Sequence, residues 1–148
     1  MTKKQAQWLY DYVRLVANQF ALRDWDFDVE EPEPEDDAFA SVCPTYGRKY
    51  FRLRVCSNFF TSTLEKQRHT IAHELIHCHM APAERWIATC ADNGKLSNTA
   101  IQAFHMNLEY GVDGLADAVA SLLPLPPKTT AKTTASLDAT TPRSENVS

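Results

Sequence analysis

Residues 69–80 read His69-Thr70-Ile71-Ala72-His73-Glu74-Leu75-Ile76-His77-Cys78-His79-Met80, and within them residues 73–77 have the form HExxH. On an α-helix, side chains four apart lie on one face, one turn above the other. His73 and His77 can therefore aim both imidazoles at a single point, where a Zn²⁺ ion accepts nitrogen ligands at about 2.0–2.1 Å. Glu74 sits about 100° round the helix from His73. That offset suits a general base for water activated by the metal better than a third ligand. Leu64, Ile71, Ala72, Leu75 and Ile76 surround the motif with apolar residues at helical spacing, so the helix is expected to be buried. Buried His and Glu are costly unless they bind something, which favours a metal over a chance cluster.

Working back toward the N-terminus, Thr61, Ser62 or Thr63 can cap this helix, with Glu65 in its first turn. Before it, residues 38–43 and 49–56 read as two strands of a hairpin whose turn contains Gly47. Phe51, Leu53 and Val55 alternate with Arg52 and Arg54, as in a sheet with one face on the core and one in water. The segment 30–37, with six acids and two prolines, reads as a solvated loop. Residues 25–29 alternate like a half-buried strand. Residues 4–21 carry Trp8, Leu9, Tyr12, Val13, Leu15, Val16 and Phe20 at helical spacing and read as a core helix.

Beyond Met80, Pro82 is expected to open a separate short helix holding Trp86 and Ile87. Asp92-Asn93-Gly94 reads as a turn. Ser97 or Asn98 then starts a long helix striped by Ile101, Phe104, Leu108, Val112, Leu115, Val119 and Leu122, ending before Pro124. The fold class is α+β: an N-terminal helix, a small, mostly antiparallel sheet of about three strands, a buried HExxH helix and a long C-terminal helix. Residues 1–124 form the domain. Residues 125–148, almost without large apolar side chains, read as a disordered low-complexity tail.

Composition narrows the functional classes. A formal net charge of −4 argues against general nucleic-acid binding. Cys43, Cys56, Cys78 and Cys90 form no CxxC pair, so free thiols in a reducing compartment are expected. The first residues lack the apolar core of a signal peptide, and no run reaches the length of a membrane span. A cytoplasmic protein with no membrane partner is the expectation.

A catalytic zinc site takes a third protein ligand and leaves a fourth position for water. The long C-terminal helix offers His105, Glu109, Asp113 and Asp117, each four residues apart on one edge. Gly111 and Gly114 cost about 1 kcal/mol each in helix stability against Ala, which suggests that this helix approaches another backbone closely. Glu109, Asp113 and His105 all stand as possible ligands. His69 and His79 read as structural or rim residues. His105, one turn from Glu109, is the first choice for stabilising the transition state, with Tyr110 and Tyr46 as rivals.

His73-Glu74-Leu75-Ile76-His77 followed by Glu109-Tyr110-Gly111-Val112-Asp113 resembles the gluzincin pattern, HExxH with a downstream ExxxD on a second helix. The order of elements over residues 1–124 is similar to the minimal zincin plan of small bacterial and phage metallopeptidases, distantly SprT-like or ImmA-like. The resemblance implies Glu109 as third zinc ligand and Asp113 as an acceptor for a histidine N–H. It departs at Leu108, where thermolysin-type enzymes place Asn. Met80 stands where metzincins have Gly, and Ile76 where ImmA-like proteins tend to have Gly. No SprT-type zinc ribbon follows. The implied activity is zinc-dependent hydrolysis of a peptide bond in a protein or peptide substrate, lying extended along the edge strand formed by residues 38–43. The other readings are a metal-binding interaction or regulatory module without significant proteolysis, and hydrolysis of a non-peptide amide.

Overall fold

The computed structural model describes residues 1–31 and 38–128. The acidic segment expected as a loop therefore falls mostly outside the described residues (at 32–37), as does the tail from residue 129 onward. The fold is α+β, and the described residues build three α-helices and a three-stranded mixed sheet.

Helix α1 (Lys3–Gln19) starts at a capping box. Thr2 Oγ1 accepts from Gln5 N–H, and Gln5 Oε1 accepts from Thr2 N–H. Its inner face buries Leu9, Tyr12, Val13, Val16 and Ala17, whereas Leu15, expected in the core stripe, is exposed. The Tyr12 hydroxyl donates to the Pro124 carbonyl at 2.9 Å, and burial raises its pKa above the ordinary tyrosine value. Trp8 Nε1 donates to the Pro127 carbonyl at 2.8 Å. The chain through residue 128 thus runs back along α1.

Strands β1 (Asp26–Glu30), β2 (Ala40–Pro44) and β3 (Tyr50–Val55) pair in the order β1-β3-β2. The β2–β3 hairpin is antiparallel, with Val42 opposite Leu53 and Gly47 at φ +75 in its turn. β1 pairs with β3 in parallel, so the sheet is mixed where a mostly antiparallel one was expected. Parallel pairing follows from the order: the chain passes from β1 to the far edge before returning to the centre. Phe51, Leu53 and Val55 of the central strand are buried. On the opposite face Arg54 pairs with Glu30 at 3.3 Å, and the Tyr50 hydroxyl donates to Asp28 at 2.6 Å.

Helix α2 (Leu64–Asp92) is capped by Thr63, whose side chain accepts from Lys66 N–H. It runs unbroken through Pro82, so the separate short helix expected there is the last part of α2. A proline inside a helix removes one backbone hydrogen bond and costs about 3 kcal/mol. Contacts beyond Pro82 hold the helix together: Ile87 is buried, Glu84 meets His77, and Arg85 lies over the Tyr46 ring. Asn93 ends the helix and Gly94 turns it at φ +65.

Helix α3 (Asn98–Ala120) begins at Ser97, whose side chain accepts from Ala100 N–H. Its buried residues are Val112, Ala116 and Ala120, with Leu108 and Val119 half-buried. Leu115 and Leu122, expected in the apolar stripe, are 47% and 79% exposed. The contact row steps by four residues, as helix ridges do when two helices interlock. Small Ala116 occupies the place where hydropathy favours Leu115. Ile76, Val112 and Ala116 form a small second core that joins α3 to the middle of α2. Gly111 and Gly114 also depart from expectation: among the described residues, a Cβ at either would meet nothing within 4 Å. No close backbone approach explains them.

Among the described residues no helix is long and apolar enough to cross a membrane. All four cysteines are free; Cys78 is buried and Cys43 exposed.

Candidate metal centre

Ile76 packing on Val112 and Ala116 decides which part of α3 faces the motif. Glu109 stands one turn before Val112 and Asp113 directly after it, so both carboxylates are carried to the histidines. The two helices run in opposite directions, and their four-residue ladders meet rung by rung. His69 Nε2 is 2.9 Å from Asp117 Oδ1, His73 Nδ1 is 2.9 Å from Asp113 Oδ1, and His77 Nε2 is 3.5 Å from Glu109 Oε1. Glu109 reaches His73 as well, with Oε2 at 3.6 Å from Nε2.

His73 Nε2 and His77 Nε2 are 3.1 Å apart, and with a Glu109 oxygen they form a group whose ligand atoms all lie within 4.8 Å of one another. Ligands at about 2.05 Å on the corners of a tetrahedron stand about 3.3 Å from each other. The two nitrogens, 3.1 Å apart, are close to that spacing, and the carboxylate straddles them, with Oε1 at 3.5 Å from His77 and Oε2 at 3.6 Å from His73. Two imidazole nitrogens and one carboxylate oxygen also make a donor set that suits Zn²⁺ and leaves a coordination place free. The residues fit the ion.

Both rings are oriented from behind. Asp113 accepts from His73 Nδ1–H, and Glu84 Oε1 lies 3.3 Å from His77 Nδ1 as its acceptor. This places the ring protons on Nδ1 and leaves both Nε2 lone pairs turned to the common point. Burial, reinforced by the neighbouring His77, lowers the pKa of His73 below the ordinary histidine value, against the pull of Asp113 and Glu109. Hydrogen bonding to Glu84 raises that of His77, against the effect of its own burial.

Glu74 is 7% exposed and lines a cleft of about 290 Å³ together with His73, His77, Glu84, Glu109 and residues Ala40, Ser41 and Val42 of β2. Among the described residues β2 is an edge strand, so one side of this cleft is the rim of the sheet. Phe39 carbonyl and Thr45 N–H bond to β3. Antiparallel alternation then turns the backbone groups of Ala40 and Val42 outward, away from β3.

His73, Glu74, His77, Glu109 and Asp113 are thus brought together. His105 is not among them: it is exposed, its ring rests edge-on against Phe104 with centroids 5.5 Å apart, and it lies outside the lining of the cleft. Tyr110 is exposed, and Tyr46 sits on the hairpin turn under Arg85. His79 Nε2 contacts the Phe20 carbonyl at 2.7 Å, joining α2 to the end of α1. Glu84 was not singled out from the sequence. Its signal is the seven-residue spacing from His77, two turns along one face, which is legible only if the helix is carried through Pro82.

Comparison with protein families, with curated proteins and with solved structures gives no match for this chain.

Proposed function

We propose that the protein is a zincin-like, zinc-dependent hydrolase of peptide bonds, with the metal held by His73, His77 and Glu109. The observation that carries this reading is the convergence of those three side chains, with one ligand atom of each within 4.8 Å of the others, in the cleft that Glu74 also lines. A structural zinc site would close the ion with four protein ligands and would have no use for a base beside it.

Bound Zn²⁺ would supply Lewis acidity toward a carbonyl oxygen and draw the pKa of nearby water down towards about 7. The protein's own residues do the rest. Asp113 and Glu84 hold the two imidazoles in the tautomer that presents Nε2. Glu74 accepts the proton of the attacking water and delivers it to the amine as the C–N bond breaks. The outward amides and carbonyls of Ala40 and Val42 offer an extended chain a strand to pair with. His105 is given no part in the chemistry.

Metal analysis of purified variants, paired with cleavage of an unstructured protein such as reduced casein, tests the reading. Wild-type protein should hold one zinc, which His73→Ala and Glu109→Ala lose. Glu74→Gln should keep the zinc and lose cleavage by several orders of magnitude. Full zinc in Glu109→Ala removes the ligand assignment. Zinc-loaded wild type that cleaves nothing leaves a metal-binding interaction module in place of an enzyme.

A further inference from the structure

A second concavity lies between α2 and the end of the sheet, under the β2–β3 turn, and its lining includes Arg48 and Lys49 of that turn. It measures about 270 Å³ and is almost wholly apolar, in contrast to the polar cleft. Ala81, Pro82 and Cys78 of α2 form one wall, and Trp25 and Pro44 stand opposite. Tyr46, held under Arg85 with the guanidinium 5.2 Å from the ring centre, closes the hairpin side. On α2 and at the end of β2 the two linings succeed one another along the chain. Ala40 to Val42 and His73 to His77 line the first; Pro44 to Tyr46 and Cys78 to Pro82 line the second.

The strand register determines what an added chain would place there. Ala40, Val42 and Pro44 sit opposite Val55, Leu53 and Phe51, which are buried, so their side chains share the sheet face that meets α2. The outward backbone groups of Ala40 and Val42 are those that a neighbouring strand would pair with. In a peptide paired to this rim, residues opposite Val42 and Pro44 would point to the α2 side. The side chain opposite Val42 enters the metal cleft. The one opposite Pro44, two residues along, and the next on that face, four along, would lie on the side of the apolar cavity, which Pro44 lines, since a strand advances about 3.3 Å per residue.

We propose that this cavity is a specificity subsite for a large apolar side chain, aromatic or branched aliphatic, located two to four residues from the bond that is cut. The substrate class is then an extended peptide segment carrying such a residue at fixed spacing. This rests on the hydrolase reading above, and the test separates the two.

The probe is a fluorophore-labelled peptide of Ala, Ser and Gln bearing a single Phe, compared with its Phe→Ala counterpart. Both are titrated by anisotropy into zinc-loaded Glu74→Gln protein. The Phe peptide should bind about tenfold tighter or more, which corresponds to about 1.4 kcal/mol. Ala81→Phe, which fills the cavity, should abolish that preference. Tyr46→Ala, at an exposed position where folding is not at stake, should reduce it. Equal binding of the two peptides, binding by neither, or a preference that survives both variants overturns the proposal. Wild-type protein given the same Phe peptide is then followed by mass spectrometry, with the Phe moved stepwise along the sequence. Cleavage should move with it at constant distance. Preference in binding without any cleavage retires hydrolysis and keeps the subsite; cleavage indifferent to the Phe position does the reverse.

Discussion

Glu84 Oε1 lies 3.3 Å from His77 Nδ1 on the same helix, with Pro82 between them. The contact exists because α2 does not break at the proline. His73 receives its carboxylate from the facing helix and His77 from its own, so the two rings are steadied by different elements.

Removing the acceptor behind a ligating histidine typically weakens metal binding about 10–100-fold. Glu84→Ala should therefore weaken zinc affinity by that order, read by competition with a chromophoric chelator. Asp113→Ala should do the same through His73. An unchanged affinity in Glu84→Ala would show that the ring of His77 needs no support from Glu84.

Among the described residues nothing presses on Gly111 or Gly114. Gly111→Ala and Gly114→Ala should each stabilise the protein by about 1 kcal/mol, the helix-propensity difference between the two residues. Denaturant titration checks this, and a loss of stability would mean that something does press on that surface.

The exposed positions of α3 make a matching prediction. Leu115→Ala should change stability by less than about 0.5 kcal/mol, as surface substitutions usually do. Val112→Ala removes buried volume next to Ile76 and should cost about 2 kcal/mol. It should also weaken zinc binding, because Val112 sets where Glu109 stands.

Burial, followed by the nearby Glu74 and Glu84, pushes the Cys78 thiol up to about 12 from 9.0. Its folded-state pKa lies above the unfolded one, so the stabilisation is fully present below pH 9 and lost as pH rises towards 12. Alkaline unfolding should move to higher pH in a Cys78→Ala variant that folds. A thiol reagent at neutral pH should label exposed Cys43 quickly and Cys78 only on unfolding.

Much of this arrangement can be read from local pattern. His73 and His77 follow from helical spacing alone, and Thr63, Gly47, Gly94 and Ser97 mark ends and turns through their own backbone chemistry. The carboxylate ladder on α3 was visible because four-residue spacing is a local property. What escaped is nonlocal. Whether β1 lies parallel or antiparallel to its neighbour depends on strand order, which alternation does not encode. Leu115 and Ala116 differ in hydropathy in the wrong sense for their burial, because the crossing of α2 and α3 selects a small residue at that point. Pro82 misleads for a related reason: its local preference to end a helix is overridden by contacts of Glu84, Arg85 and Ile87.

The facing rows of imidazoles and carboxylates repeat at the same interval, which has a mechanical consequence. Sliding α3 by a single turn, about 5.4 Å, would again set acid against histidine at most rungs. Electrostatics alone therefore offers several near-equivalent alignments. Choice among them falls to side-chain size along the apolar row, where Ile76 meets Val112 and Ala116 and a one-turn slide would bring Leu108 or Ala120 to it instead. A bulkier residue at Ala116 would shift the rows, and Asp113, one methylene shorter than Glu109, would then face a different pair of imidazoles.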